Sequence, residues 1–430
     1  MTALDSRPAR PKQPARPPAR QPVLQRPLAS YHVLLTTTLL LVAIGFVMVF
    51  SASFVRAFAD TGSSFSTAMK QGVFVCLGLP LMWVASRLSV QTWRRLAYPA
   101  LLAALLLLVV VLVPGIGNEV NGAQSWIPIG GGFNLQPAEL VKLALVLWGA
   151  DLLVRKKKLL VEWKHLAVPL LPVSALCLLL VLLQPDLGTS VVICAAVVGL
   201  LWVVGAPLRH LGGLLGVMLA IGMALALSAP HRVERLLSFR DPFADADDTG
   251  YQAVQGLYAL SSGGWFGLGL GASREKWTGG LPEAHTDFIF AIIGEELGLL
   301  GTLTVLALFA CLIYSGVRIA QRAADPFVRL AASGITAWLG AQAVINIGAV
   351  VGLLPITGLP LPLVSYGGSA LLVTLIAIGM LLSFARVEPG APQALAARRD
   401  KGPLQRLIHP RAATVPAQRT ASRRPVAGGR

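Results

Sequence analysis

The sequence predicts an all-α polytopic membrane protein of about ten transmembrane helices. Both termini are expected in the cytoplasm, with one long extracytoplasmic loop between helices seven and eight. Three observations carry this reading. First, the 430 residues are 55% hydrophobic with mean hydropathy +0.69, and only 13% are charged, whereas a soluble domain carries about 25% charge. Second, apolar runs of roughly 18 residues or more recur, each able to cross a ~30 Å hydrocarbon core. Backbone polar groups cannot stay unpaired there, so such runs must be helices. Third, Lys and Arg alternate between loops in the manner that sets membrane orientation.

The first thirty residues are rich in Pro, Arg and Gln. They read as a disordered basic cytoplasmic tail, 1–30, and not as a cleavable signal peptide. A membrane domain over 31–387 follows. Its ten expected spans are 33–53, 68–86, 96–113, 137–154, 166–183, 188–206, 211–229, 286–313, 330–352 and 367–385. With the N-terminus inside, 28 of the 36 Lys and Arg fall on the cytoplasmic side, so the orientation is well determined. That distribution also explains the net charge of +16 without nucleic acid. Residues 230–285 form the long outer loop. Within it, His231 to Phe239 has the apolar spacing of a short interfacial helix. The glycine-rich stretch Ser261 to Gly271 suits packing against the bundle better than a phosphate cradle. A basic tail, 388–430, is expected to be disordered. Cys76, Cys177, Cys194 and Cys311 all lie in apolar runs and read as core packing, with no metal or disulfide spacing.

On this topology every even-numbered span starts at the outer face, and the polar residues collect there. Span four opens Gln136-Pro137-Ala138-Glu139 with Lys142 following. Span six follows Gln184-Pro185-Asp186, span eight opens with Glu283-Ala284-His285-Thr286-Asp287, and span ten follows Ser365-Tyr366-Gly367-Gly368-Ser369. Each has a plain structural reading. Pro after a polar residue is ordinary capping, and Glu139 and Lys142 are spaced to pair with each other. Lys142 also lies near enough to the outer end to snorkel. Together, several helix N-termini at one face favour an anion such as pyrophosphate. Ionisable groups in spans are functional candidates, and a carboxylate at a partly dry edge, Asp287, can be tuned into a general base. Glu295 and Glu296 lie two turns further on and are equally compatible with structural work.

These residues resemble the SEDS family, the shape, elongation, division and sporulation proteins. The resemblance rests on KWTGGLPEAHTDFIFAIIGEELGLLG from Lys276 to Gly301, on GLPLPLVSYGGSALL from Gly358 to Leu372, and on the Gln136 and Gln184 motifs. It covers about 31–387, and the cell-division branch fits better than the elongation branch. It implies a ten-helix peptidoglycan glycosyltransferase that polymerises lipid II at the outer face of the cytoplasmic membrane, at the division septum. Asp287 matches the family's essential aspartate and Lys142 an important lysine. Gln136, Glu139, Lys276, Glu283, His285, Ser365 and Tyr366 are the expected substrate-binding neighbours. The family's arginines are replaced here by Ser125 and Asn134, so another cation, Arg232, Arg240 or Lys276, is needed for phosphate. A divalent cation, Mg or Mn, is a candidate assistant to the leaving group; no organic cofactor is expected. Implied partners are a class B penicillin-binding protein transpeptidase, other divisome proteins and membrane lipids. The rival classes are a lipid II flippase and a non-catalytic divisome scaffold.

Overall fold

The computed structural model describes residues 28–120, 123–130, 133–156, 168–214, 216, 220, 239, 241–245, 250–277 and 280–399. The chain runs through α1 (Ala29–Thr61), α2 (Ser66–Arg87), α3 (Val90–Val111), α4 (Pro137–Arg155), α5 (Leu170–Leu182), α6 (Leu187–Val204), α7 (Tyr251–Ser262), α8 (Ile289–Arg322), α9 (Pro326–Val350), α10 (Gly368–Ala385) and α11 (Ala391–Arg399). Seven of these, α1, α2, α3, α6, α8, α9 and α10, are long and apolar enough to cross a membrane. The helix α4 has 19 residues but carries Glu139, Lys142 and Asp151; α5 has 13 residues. The chain is thus a multi-pass helical membrane protein. Most of the expected seventh span, the His231–Phe239 helix, Arg232 and Arg240 lie outside the described residues.

The helix starts follow the capping chemistry read from the sequence. Asp186 accepts from Thr189 N at 2.9 Å at the head of α6, so the Gln184-Pro185-Asp186 motif is a cap. Asp325 caps α9 through Phe327 N at 2.8 Å, with Pro326 in the first turn. At the centre, α4 is buried on nearly every side and packs on α3, α6, α9 and α10. The helix α10 lies beside α2; a Cβ on Gly379 would come within 2.4 Å of the Met82 carbonyl, the close approach that small residues allow between membrane helices. On the cytoplasmic side, buried Asp151 holds Arg94 at 2.8 Å and Arg155 at 2.5 Å, tying α3 to α4.

Four features depart from expectation. The outer segment between α3 and α4 is a three-stranded antiparallel sheet, β1 (Asn118–Val120), β2 (Ala123–Gly130) and β3 (Phe133–Leu135), in the order β1-β2-β3. Cys76 and Cys311 are exposed on their helices; only Cys177 and Cys194 pack inside. The tail expected to be disordered from 388 instead begins in order: Glu388 is buried 3.2 Å from Arg322, and Ala391 and Leu395 of α11 close over Leu28. Finally, α8 is interrupted at Gly298, whose φ of 67° and ψ of −164° are open to glycine and costly for other residues.

The interruption is repaired by the glycine-rich segment after α7. The carbonyls of Glu295 and Glu296, freed by the break, accept from Leu268 N at 2.9 Å and Gly269 N at 3.0 Å. On the far side, Leu299 N donates to Gly264 O at 2.9 Å and Leu300 N to Trp265 O at 3.3 Å. Every donor and acceptor exposed by a broken membrane helix needs such a partner. The segment packs on the bundle, as its glycines suggest.

Candidate functional site

The head of α8 and the loop before α10 form one polar cluster on the outer side. Glu283 takes a positive φ of 54°, which starts the tight turn leading into α8. Thr286 Oγ1 lies 2.9 Å from Glu283 Oε2 and 3.0 Å from Asp287 Oδ1, so a single hydroxyl spaces the two carboxylates. Asp287 is partly open to solvent. The protein around its carboxyl, helped by the nearby Glu283 charge, raises its pKa to about 6 despite the Thr286 hydrogen bond. Burial lowers the pKa of His285, whose ring centroid lies 5.6 Å from that of Tyr366. Burial also raises the Tyr366 hydroxyl above its usual range. From α1, Arg56 Nη1 reaches to 3.6 Å from Glu283 Oε1, with its side chain 53% exposed.

Two backbone ties fix this cluster. Tyr366 N donates to His285 O at 2.9 Å. Asn346, buried on α9, donates through Nδ2 to Asp287 O at 2.7 Å and to Leu359 O at 2.7 Å. One turn away on α9, Gln342 donates to Pro360 O at 2.9 Å and accepts from Lys142 Nζ at 3.0 Å. The chain of contacts runs from α4, through α9 and the 359–366 loop, to Asp287. Gln342 and Asn346 had no place in the sequence reading. Their signal was available: two amides spaced i, i+4 inside an apolar span.

The other expected site residues divide. Ser365 is buried and accepts from Leu361 N at 2.8 Å, which makes it a turn cap. Gln136 N donates to Ser369 Oγ at 3.1 Å and Gln136 Nε2 to Asp186 Oδ2 at 3.0 Å, joining the heads of α4, α6 and α10. Lys142 is fully buried, 2.7 Å from Glu139 Oε1 and 5.1 Å from the centroid of Trp338. Lys276 is buried 2.9 Å from Glu296 Oε1 and 3.4 Å from Ser51 Oγ. Neither ammonium faces solvent and Glu139 is buried beside Lys142, so the pyrophosphate contact expected of Lys142 and Lys276, and the substrate contact expected of Glu139, do not match this geometry. Each cation is instead consumed by a carboxylate that would otherwise be buried unpaired. Glu295 likewise accepts from Arg274 N at 2.7 Å and Ser273 Oγ at 2.6 Å, a structural role. Among the described residues no three His, Cys, Asp or Glu side chains converge to hold a metal. Glu283 and Asp287 alone are a thin donor set for the expected divalent cation.

A family model described as cell cycle protein, covering FtsW, RodA and SpoVE, matches residues 31–389. The chain belongs to this SEDS family. Within it, the FtsW branch fits best. A probable peptidoglycan glycosyltransferase FtsW of Mycobacterium tuberculosis is 44% identical over 377 residues, covering 88% of this chain and 72% of that protein. The FtsW of Halorhodospira halophila is 45% identical over 343 residues, covering 79% of this chain and 86% of its own. Stage V sporulation protein E of Bacillus subtilis is 41% identical over 356 residues, covering 82% and 96%. Among solved structures, a chain from a peptidoglycan synthase complex that coordinates polymerization and crosslinking superposes with a TM-score of 0.67 at 32% identity, covering 83% of this chain and 98% of that one. RodA of Thermus thermophilus superposes at 0.60 with 33% identity, covering 83% and 96%. These SEDS relatives share both the helical architecture and, at these identities, the sequence of the bundle.

Proposed function

We propose that this chain is a peptidoglycan glycosyltransferase that polymerises lipid II into glycan strands at the outer membrane face during septal wall synthesis. The observation that carries the mechanism is Asp287: a carboxyl raised to about 6 at a partly open site, its backbone clamped by Asn346. A base with a pKa near the working pH is both ionised and able to accept a proton, which contributes on the order of 10²–10⁴ in rate. Asp287 takes the proton from the 4-hydroxyl of the acceptor GlcNAc. The oxygen forms a bond to the anomeric carbon of the donor MurNAc with inversion. The bond from that carbon to the pyrophosphate oxygen breaks, and undecaprenyl pyrophosphate leaves with the electron pair. Among the described residues, Arg56 is a solvent-facing cation that touches this cluster, placed to stabilise the developing charge. Glu283, His285 and Tyr366 line the same rim and contact the sugars. Lys142 and Glu139 support the rim from below through Gln342.

The names of the FtsW relatives and the synthase complex support this reading and a partner of the class B penicillin-binding protein type. Other divisome proteins and the septal membrane complete the setting. The test is glycan synthesis from labelled lipid II by wild type and Asp287→Asn, with and without the cognate transpeptidase. The amide is nearly isosteric and cannot take the proton, so polymer should be lost while the protein stays monodisperse. Polymer made at the wild-type rate by the Asn variant removes Asp287 from the chemistry.

A further inference from the structure

The segment that repairs α8 carries five large apolar side chains with little protein over them. Trp265 is 67% exposed, Phe266 81%, Leu268 42%, Leu270 61% and Trp277 61%. By sequence this segment belongs to an aqueous loop, where so contiguous an apolar surface would be unusual. Two helices supply a ruler for its true depth. Ser51 of α1 and Glu296 of α8 meet at 2.6 Å, with Lys276 between them, so they lie at one level. At the other end, Glu388 lies beside Ser30 of α1 and beside Arg318 and Arg322 of α8. At ~1.5 Å per residue, α1 covers about 31 Å between these levels, and α8 about 33 Å to Arg318 and about 39 Å to Arg322. Both helices therefore cross a ~30 Å hydrocarbon core between the two levels, the long arginines reaching back along α8 to Glu388. The buried Ser51–Lys276–Glu296 cluster therefore marks the outer edge of the hydrocarbon.

The hydrogen bonds of the broken helix then set the level of the segment. Trp265 O meets Leu300 N and Gly264 O meets Leu299 N, about one turn, ~5 Å, on the membrane side of Glu296. At that level α8 shows Leu299, Leu300 and Leu303 outward, at 41%, 49% and 48% exposure. The geometry points to Trp265–Leu270, with Trp277, as a re-entrant strap seated in the outer leaflet, binding lipid acyl chains. Its tryptophans have the amphipathic character that favours the interface, and its backbone is satisfied by α8, as immersion requires. The strap holds the outer end of α8, the same helix whose head carries Asp287 about 12 Å further out. This reading does not depend on the reaction assigned to Asp287.

The test places a spin label by Phe266→Cys in full-length protein whose four native cysteines are replaced, reconstituted in phosphatidylethanolamine–phosphatidylglycerol nanodiscs. Collision with oxygen and with a water-soluble nickel chelate is compared with labels at Leu303→Cys and Ser63→Cys. The expected result is an oxygen-rich, nickel-poor label at 266, close to 303. A nickel-accessible label resembling 63, or one shielded from both quenchers by protein, overturns the proposal. A second measurement needs no cysteine replacement. In lipids brominated near the headgroup, Trp265→Phe/Trp277→Phe should lose part of the quenchable tryptophan fluorescence seen in wild type. An unchanged quenched amplitude also overturns it.

Discussion

Asn346 donates to the carbonyls of Asp287 and Leu359 at 2.7 Å each, so one buried amide sets the distance between the acid and the loop before α10. Asn346→Ala should leave two carbonyls short of a donor, at a cost of about 1–3 kcal/mol. It should also lower the turnover of lipid II polymerisation more than it changes KM, because the acid is displaced while the sugar contacts remain. Equal loss of both parameters, or none, contradicts that role. A second expectation concerns protons. Asp287 must be ionised to act as base, and its pKa is raised to about 6. Polymerisation by wild type should therefore fall about tenfold per unit as pH drops below that value. A profile flat down to the ordinary aspartate range contradicts the assignment. At this scale the sequence exposed Asp287, Glu283 and His285, since acids and bases at the head of an apolar run stand out. The i, i+3 spacing of Glu139 and Lys142 announced their pairing, but nothing announced that Lys276 is spent on Glu296, because a partner 20 residues away leaves no periodic trace. Gln342 and Asn346 were legible only as a spacing, with nothing to say which carbonyls they serve.

The element that most changes the reading is α8. Its apolar run was plain in the sequence, as was the glycine-rich stretch before it, but their mutual repair was not. A broken helix announces itself only when the donors that replace its hydrogen bonds are in place, and those lie some thirty residues upstream. The strands β1–β3 were missed for a related reason. They are only three, eight and three residues long, too short to leave a run that hydropathy can register. The seam between the strap, α1 and α8 gives a quantitative test. Lys276→Met strands Glu296 as a buried anion, which should cost about 3–5 kcal/mol. Combining it with Glu296→Gln removes the stranded charge and should recover much of the loss. Thermal unfolding in detergent compares the two, and a double variant less stable than Lys276→Met alone would show that the ion pair is not the source of stability.

Over the whole molecule, the helical, multi-pass character and the order of the helices were legible in the sequence, because hydropathy is an average over many residues. Less was legible at the cytoplasmic corner, where a few contacts decide. There Leu28, where the described chain begins, lies under Ala391 and Leu395 of α11, and Glu388 meets Arg322. Removing residues 391–430 uncovers Leu28 and should lower the unfolding midpoint, since burying a leucine is worth about 1.5–3 kcal/mol. An unchanged midpoint would show that α11 adds nothing to the fold. The same corner gathers the two ends of the described chain. The stretches beyond Leu28 and Arg399 hold six and seven Lys and Arg residues, and they depart from roughly one spot on the inner surface. Anionic phospholipid should meet the pair as one doubled cationic tether, so neutralising either stretch alone should only halve its pull on the inner leaflet, as binding to anionic vesicles would show.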